Sequence, residues 1–170
     1  EIKECDWSSD VCSSDLLSLI APSAILSWTA VPANAAGAAG RIACVAINRP
    51  EQANSFNDDV IRDLVKCLAE ARAAKDCRAV VLKGRGKHFS AGADLGWMKN
   101  AAKLSKEDNV KDAKALIELF EALSQMPMPT LALVTGSAFG GAVGLTACCD
   151  VAIAVATARF CLSEVKLGLD

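Results

Sequence analysis

The chain reads as an α/β protein, with helices laid over a largely parallel sheet. Three observations predict this class. Short β-branched apolar runs alternate with longer stretches of helical period, small residues suited to close helix–sheet packing are abundant, and two of the predicted strands run directly into glycine-bearing loops. Nothing recurs at a fixed period that would indicate a solenoid.

The elements follow in order from Arg41. "RIACVAIN" alternates loosely around Ile42, Cys44, Val45 and Ile47 and meets Asn48-Arg49-Pro50, so it is a strand ending in a turn. In "NDDVIRDLVKCLAEARAAK", Val60, Ile61, Leu64, Val65 and Leu68 recur at helical spacing. Asn57-Asp58-Asp59 caps the positive end of that helix dipole. "RAVVLKG" is short and β-branched, hence a buried strand. "EDNVKDAKALIELFEALSQM" is a second amphipathic helix, stopped by Pro127 and Pro129. "TLALVTG" is a strand, "GGAVGLTACC" a small-residue helix and "VAIAVA" a further strand.

The N-terminal stretch fits none of this. "DWSSDVCSSDL", Asp6 to Leu16, has no apolar period. Read as codons, its eleven residues resemble a common short-read sequencing adapter, so a cloning or assembly scar is the expectation. The following Leu17–Gly40 segment imitates a signal peptide with an Ala33-Asn34-Ala35 cleavage site, but a basic leader is absent before it, and Pro22 and Pro32 oppose a membrane helix. Residues 1–39 are therefore expected to be scar and disordered leader that add nothing to the core, and residues 40–170 to be one incomplete domain.

Composition narrows the function. At 52% hydrophobic, 22% charged and a net charge of −2, the chain is predicted to be globular and soluble, with no electrostatic case for nucleic acid or an anionic membrane. Of eight cysteines, Cys5 and Cys12 lie in or beside the suspected scar. Cys44, Cys67, Cys77, Cys148, Cys149 and Cys161 form no C-x-x-C, and His88 is the single histidine, so no metal site is predicted. They read as small buried hydrophobes of a reducing, cytoplasmic protein.

Two strand-to-loop transitions are the candidates for chemistry. "GRGKHFSAGADLGWMK" follows the Val80–Leu82 strand, and "GSAFGGAVGL" follows the Leu131–Val134 strand. Loops at strand ends are the usual ligand sites of α/β folds. At Gly140-Gly141 the chain turns into a helix, which leaves free N–H groups facing outward. Two N–H groups converging from separate loops would form an oxyanion hole. Taken singly, Ala91–Asp94 reads first as a plain turn and Gly140–Gly144 as a packing device. "GRGKH" lacks the spacing and hydroxyl of a phosphate loop.

Together, "INRPEQANSF", "HFSAGADLGWMK", "GSAFGGAVGLTACCDVAIA" and "ARFCLSEVKLGL" resemble, in order, the motifs of the crotonase (enoyl-CoA hydratase/isomerase) superfamily over about Gly40–Leu169. The resemblance is nearest to bacterial hydratases of methylglutaconyl-CoA or isohexenylglutaconyl-CoA, in leucine and acyclic-terpene catabolism. It implies a spiral of ββα units, an acyl-CoA substrate that itself carries the coenzyme A, no separate cofactor, and trimeric or hexameric full-length relatives. It implies that the backbone N–H groups of Ala91 and Gly141 receive the thioester oxygen and that Glu164 exchanges protons. Ala91, Gly92, Ala93, Asp94, Gly140 and Gly141 would line the coenzyme A path. Lys87 and Arg49 are candidates for the vicinity of its phosphates, against an ordinary role as solvated charges.

Two departures stand out. Where two-glutamate hydratases carry a second Glu, this chain has Gly144. Relatives also continue past Leu169 into a helical region completing the acyl pocket and the subunit contacts, and Asp170 does not fit that continuation. The implied activity is addition of water to an α,β-unsaturated acyl-CoA. Isomerisation by Glu164 alone and an inactive fragment are the alternatives. Asp150 matches a structural position and is left out of the site.

Overall fold

A computed structural model describes residues 22–31, 39–101 and 103–162. The adapter-like stretch and Glu164 lie outside the described residues. In chain order the elements are β1 (Ala24–Val31), β2 (Gly40–Ile47), α1 (Asp58–Ala73), β3 (Cys77–Gly84), α2 (Leu95–Ala101), α3 (Lys106–Ser124), β4 (Thr130–Val134), β5 (Ser137–Phe139), α4 (Gly141–Cys148), β6 (Val151–Ala154) and β7 (Arg159–Cys161).

Five strands form one sheet in the order β1-β2-β3-β4-β6, and β5 and β7 form a separate parallel pair. From β2 to β6 all neighbours run parallel, as the strand–helix alternation predicts. β1 is the exception. It lies antiparallel to β2, with Ala24 opposite Ile47 and Val31 opposite Gly40. Ala24 is buried and belongs to the core. Its Trp28 ring is covered by the Arg41 guanidinium at 4.2 Å. This corrects the expectation that everything up to Ala39 stays outside the core. Ala24–Val31 has a β-branched and aromatic content that suits a strand, and β2 offers it an open edge.

The helices form where their periodicity places them. α1 buries Val60, Ile61, Leu64, Cys67, Leu68 and Ala71 against the sheet. Its first turn is closed by the Asn57 side chain, which accepts from the Val60 N–H at 3.0 Å. In α3, Ser105 accepts from the Asp108 N–H at 3.1 Å, and Leu119 and Leu123 point inward one turn apart. α2 was not expected. Asp94 nucleates it by accepting from the N–H groups of Gly96 and Trp97 at 2.8 and 3.1 Å.

The core is continuous: Val45, Ile47, Val80, Leu82 and Val134 from the sheet meet Leu64, Leu68, Leu119, Leu123 and Leu145 from the helices. Each such side chain contributes about 1.5–3 kcal/mol by leaving water. The far side of the sheet is different. Val151, Ile153 and Val155 on and after β6, with Phe160 and Leu162 at β7, are exposed. The run "VAIAVA" is the predicted strand, and among the described residues it forms an exposed edge.

Candidate functional site

The two candidate loops meet. The Ser90 N–H donates to the Ser137 carbonyl and the Phe139 N–H to the Ser90 carbonyl, both at 3.0 Å, a one-residue parallel bridge between Ser90 and Ala138. Three residues beyond each partner lie Ala93 and Gly141. The chains stay in contact along that path. A β-carbon on Gly92 would lie 2.7 Å from the Phe139 carbonyl oxygen and 3.6 Å from the Gly140 Cα. On its other side the segment is held by the loop after β2. The Ala91 N–H donates to the Ala53 carbonyl at 2.9 Å, the Phe56 N–H to Gly92 at 2.7 Å, and the Asp94 N–H to Phe56 at 2.8 Å. Residues 90–94 are thus sandwiched between the 49–56 loop and β5.

This overturns one expected donor. The Ala91 N–H is committed to Ala53 and cannot also point to a shared oxygen. Gly92 has φ +86°, a left-handed conformation natural to glycine. That turn aims the Gly92 carbonyl at Phe56. The N–H across the same trans peptide, that of Ala93, then points the opposite way, away from Phe56. The Ala93 and Gly141 N–H groups have no hydrogen-bond partner among the described residues. Gly141 is the first residue of α4, where no intrahelical acceptor exists. Ala91 and Ala93 flank the same glycine with the same side chain. The glycine between them marks where the peptide can reverse, but not which of the two N–H groups stays open.

The polar residues nearby turn inward. Besides capping α2, the Asp94 carboxylate receives the Ser55 hydroxyl at 3.3 Å and the Arg49 guanidinium at 3.4 Å. The Trp97 N–H above all, then Gly96 N–H, Arg49 and Ser55, hold its pKa below the usual value against the opposing effect of burial. The Arg49 side chain also donates to the Ser55 carbonyl at 2.9 Å. Both side chains are therefore tied internally, with Arg49 turned toward Ser55 and Asp94. Lys87 is exposed.

Along α4 two phenyl rings stand a turn apart. The Phe56 ring lies 3.5 Å from a notional β-carbon on Gly141, and the Phe120 ring of α3 lies 3.0 Å from one on Gly144. The space beside Gly144, where a second carboxylate would begin, is thus walled by Phe120. On the other flank, β7 pairs with β5, and the Gly140 N–H donates to the Cys161 carbonyl at 2.8 Å. The strand that leads in sequence to Glu164 therefore reaches the glycine pair. Asp150 accepts from the Thr130 N–H and hydroxyl, both at 2.8 Å, and is structural as expected.

A separate groove of about 440 Å³ lies between α1 and α3, with Ile61, Val65 and Ala115 in its lining and Asp58, Arg62, Lys111, Asp112 and Glu118 around them. The Trp97 indole N–H ties α2 to its rim through Asp58 at 3.0 Å.

A sequence model of the Enoyl-CoA hydratase/isomerase family matches residues 37–170. The chain belongs to the enoyl-CoA hydratase/isomerase family. An enoyl-CoA hydratase of Alternaria alternata is 41% identical over 125 residues, covering 74% of this chain and 40% of that protein. A mitochondrial Delta(3,5)-Delta(2,4)-dienoyl-CoA isomerase of Mus musculus is 36% identical over 135 residues, covering 74% of this chain and 41% of that protein. The crystal structure of an enoyl-CoA hydratase from Shewanella pealeana superposes with a TM-score of 0.76 at 42% identity, covering 85% of this chain and 51% of the other. The chain thus spans about half the length of the family members it matches. The mixed α/β architecture is the crotonase fold expected for this enoyl-CoA hydratase/isomerase family.

Among the described residues no group of three His, Cys, Asp or Glu is placed to hold a metal, and no helix is long and apolar enough to cross a membrane. The six described cysteines are free. Burial pushes the Cys67 thiol up to about 11 and the Cys149 thiol up to about 12, so both are inert near neutrality.

Proposed function

We propose that this chain forms the thioester-binding part of an acyl-CoA enzyme. The Ala93 and Gly141 N–H groups would receive the thioester oxygen, and Glu164 would exchange a proton with the substrate carbon or with water. The observation that carries this reading is the Ser90–Ala138 bridge with the reversed peptide after Gly92, which brings two unpartnered N–H groups onto neighbouring loops. Negative charge develops on the oxygen only as the enolate forms. Donors already held in place meet it without reorganisation, and each contributes about 3 kcal/mol in comparable sites. Glycine and alanine let the thioester approach the backbone. Glu164 is assigned from its motif and from β7, which ends beside Gly140.

The first reaction is hydration of an α,β-unsaturated acyl-CoA. Because Gly144 supplies no second carboxylate, a glutaconyl-type substrate such as methylglutaconyl-CoA suits the site, its own carboxylate helping to orient the water. The Phe120 wall over Gly144 supports a second reading, isomerisation, in which one carboxylate carries a proton between carbons and water takes no part. The relatives include proteins named for each reaction.

One experiment separates the readings. Protein is incubated with crotonyl-CoA and with a 3-enoyl-CoA in ¹⁸O-labelled water, and products are read by mass spectrometry. Hydration puts labelled oxygen into a hydroxyacyl-CoA, whereas isomerisation moves the double bond without gaining oxygen. Glu164→Gln is expected to lower either turnover by about 10²–10⁴-fold while thioester binding persists. Near-full activity in Glu164→Gln would overturn the mechanism. ¹⁵N spectra recorded with the same ligands report binding independently of turnover, and the Ala93 and Gly141 amides are expected to move most.

A further inference from the structure

The motif "RPEQANSF" precedes both candidate loops and supplies none of the groups assigned above. At its centre is Asn54, fully buried and left-handed at φ +56°, next to Ala53 at φ +49°. Two adjacent non-glycine residues in this conformation persist only where their surroundings over-determine them. Here the surroundings are hydrogen bonds. Asn54 Oδ1 accepts from the Arg49 N–H at 2.9 Å, while its own N–H donates to the Arg49 carbonyl at 2.8 Å. Nδ2 donates to the Arg85 carbonyl at 2.8 Å and to the His88 carbonyl at 2.7 Å. The side chain has no donor or acceptor orientation to spare, since only the oxygen can face an N–H and only the nitrogen can face two carbonyls.

We infer that Asn54 is a positioning residue: it pins the 49–56 loop to the 85–88 turn so that Ala53 and Phe56 hold residues 91–94 with the Ala93 N–H turned away from Phe56. The three backbone bonds on that side of the segment run to Ala53 and Phe56, which lie one and two residues from Asn54. If the pin is lost, the 49–56 loop is free to drift from the 85–88 turn. The carbonyls of Arg85 and His88 are then left without these donors, and the Gly92 peptide loses the partner that holds its reversed orientation. A hydrophobic residue of similar volume would fill the space but satisfy none of these groups. This inference rests on the reading that the Ala93 and Gly141 N–H groups receive a thioester oxygen.

The test uses the full chain and two variants. Asn54→Gly keeps the left-handed backbone without strain and removes all three side-chain bonds. Amide hydrogen exchange without ligand is expected to accelerate about tenfold or more at Ala91 and Asp94, while Val45 and Val80 in the central strands change by less than about twofold. Unchanged exchange at Ala91 and Asp94, or an equal acceleration everywhere, would overturn the assignment. If Asn54→Gly does not fold, Asn54→Asp decides the same question below the pKa of its carboxyl, where it keeps an acceptor and one donor. There the exchange at Ala91 and Asp94 is expected to fall between the wild-type and fully ionised values, and no dependence on that ionisation overturns the pin.

The second readout is the ¹³C signal of crotonyl-CoA labelled at the thioester carbonyl. Wild-type protein is expected to displace it downfield on binding, and Asn54→Gly at saturating ligand to show less than about half of that displacement. Equal displacement in both proteins would overturn the positioning role. If the wild-type protein displaces nothing, the thioester reading fails, and the exchange measurement still decides whether Asn54 pins the segment.

Discussion

Gly92 faces Phe139 so closely that any β-carbon would lie 2.7 Å from the Phe139 carbonyl oxygen. That oxygen belongs to β5, which is pinned by Ser90 on one side and β7 on the other, so it cannot give way as a side-chain end would. Gly92→Ala therefore meets two costs, the left-handed φ and the clash. Together they should lower stability by roughly 2–4 kcal/mol. Denaturant titration measures it, and an unchanged midpoint would mean the contact is far looser than described.

Gly144→Ala should behave differently. Its β-carbon meets the tip of the Phe120 ring at 3.0 Å, and a ring can pivot. Replacing glycine inside a helix also gains about 1 kcal/mol. The net change is expected to lie within about 1 kcal/mol of zero. Combining it with Phe120→Leu removes the crowding, so a double-mutant cycle should show coupling of about 0.5–1 kcal/mol. Strict additivity would remove Phe120 as the wall over this position.

Strand β1 should matter to the whole domain. Deleting residues through Val31 leaves β2 without its antiparallel partner and uncovers Ile47 and Val45. A loss of several degrees in Tm is expected, since 1 kcal/mol corresponds to roughly 4 °C in a domain of this size. Trp28→Ala, which removes the ring beneath Arg41, should produce a smaller drop. Full-strength melting of the deleted protein would return β1 to the status of a passive leader.

Acid should loosen the site only below about pH 4. The Asp94 carboxyl is held below its ordinary pKa of 3.8, chiefly by the Trp97 N–H, and Asp150 is held down chiefly by the Thr130 N–H. A folded pKa below the unfolded one means the stabilisation is complete above about pH 4 and disappears as pH falls through the lowered value. Asp94→Asn keeps a capping oxygen but loses the charge facing Arg49. Its stability should therefore vary less with pH below 4 than the wild-type protein's. Parallel acid-titration curves for the two proteins would contradict this.

Much of this architecture was legible in the sequence because periodicity reports which face of an element is buried. Leu64 and Leu68 of α1, Leu119 and Leu123 of α3, and the apolar runs of β2, β3 and β4 stand where their spacing indicates. Caps are equally local, and Asn57 serves as one. α2 leaves no such mark because it is short, it buries no residue, and its start is set by Asp94 rather than by an apolar stripe. β1 is obscured because its strand pattern sits beside a stretch that reads as foreign, and pairing with β2 is a long-range event.

By itself the sequence determined the α/β class, the order of the main elements and the two glycine-bearing loops that follow strands, since each depends on the nature and spacing of near neighbours. Only the tertiary structure decided which N–H groups remain open. Ala91 and Ala93 are the same residue on either side of one glycine. What separates them is the carbonyl of Ala53 in a distant loop, which captures the first, and the Gly92 peptide held by Phe56, which turns the second away. Hydrogen bonds between segments far apart in the chain leave no mark on local composition, so the choice between the two donors exists only in the folded molecule.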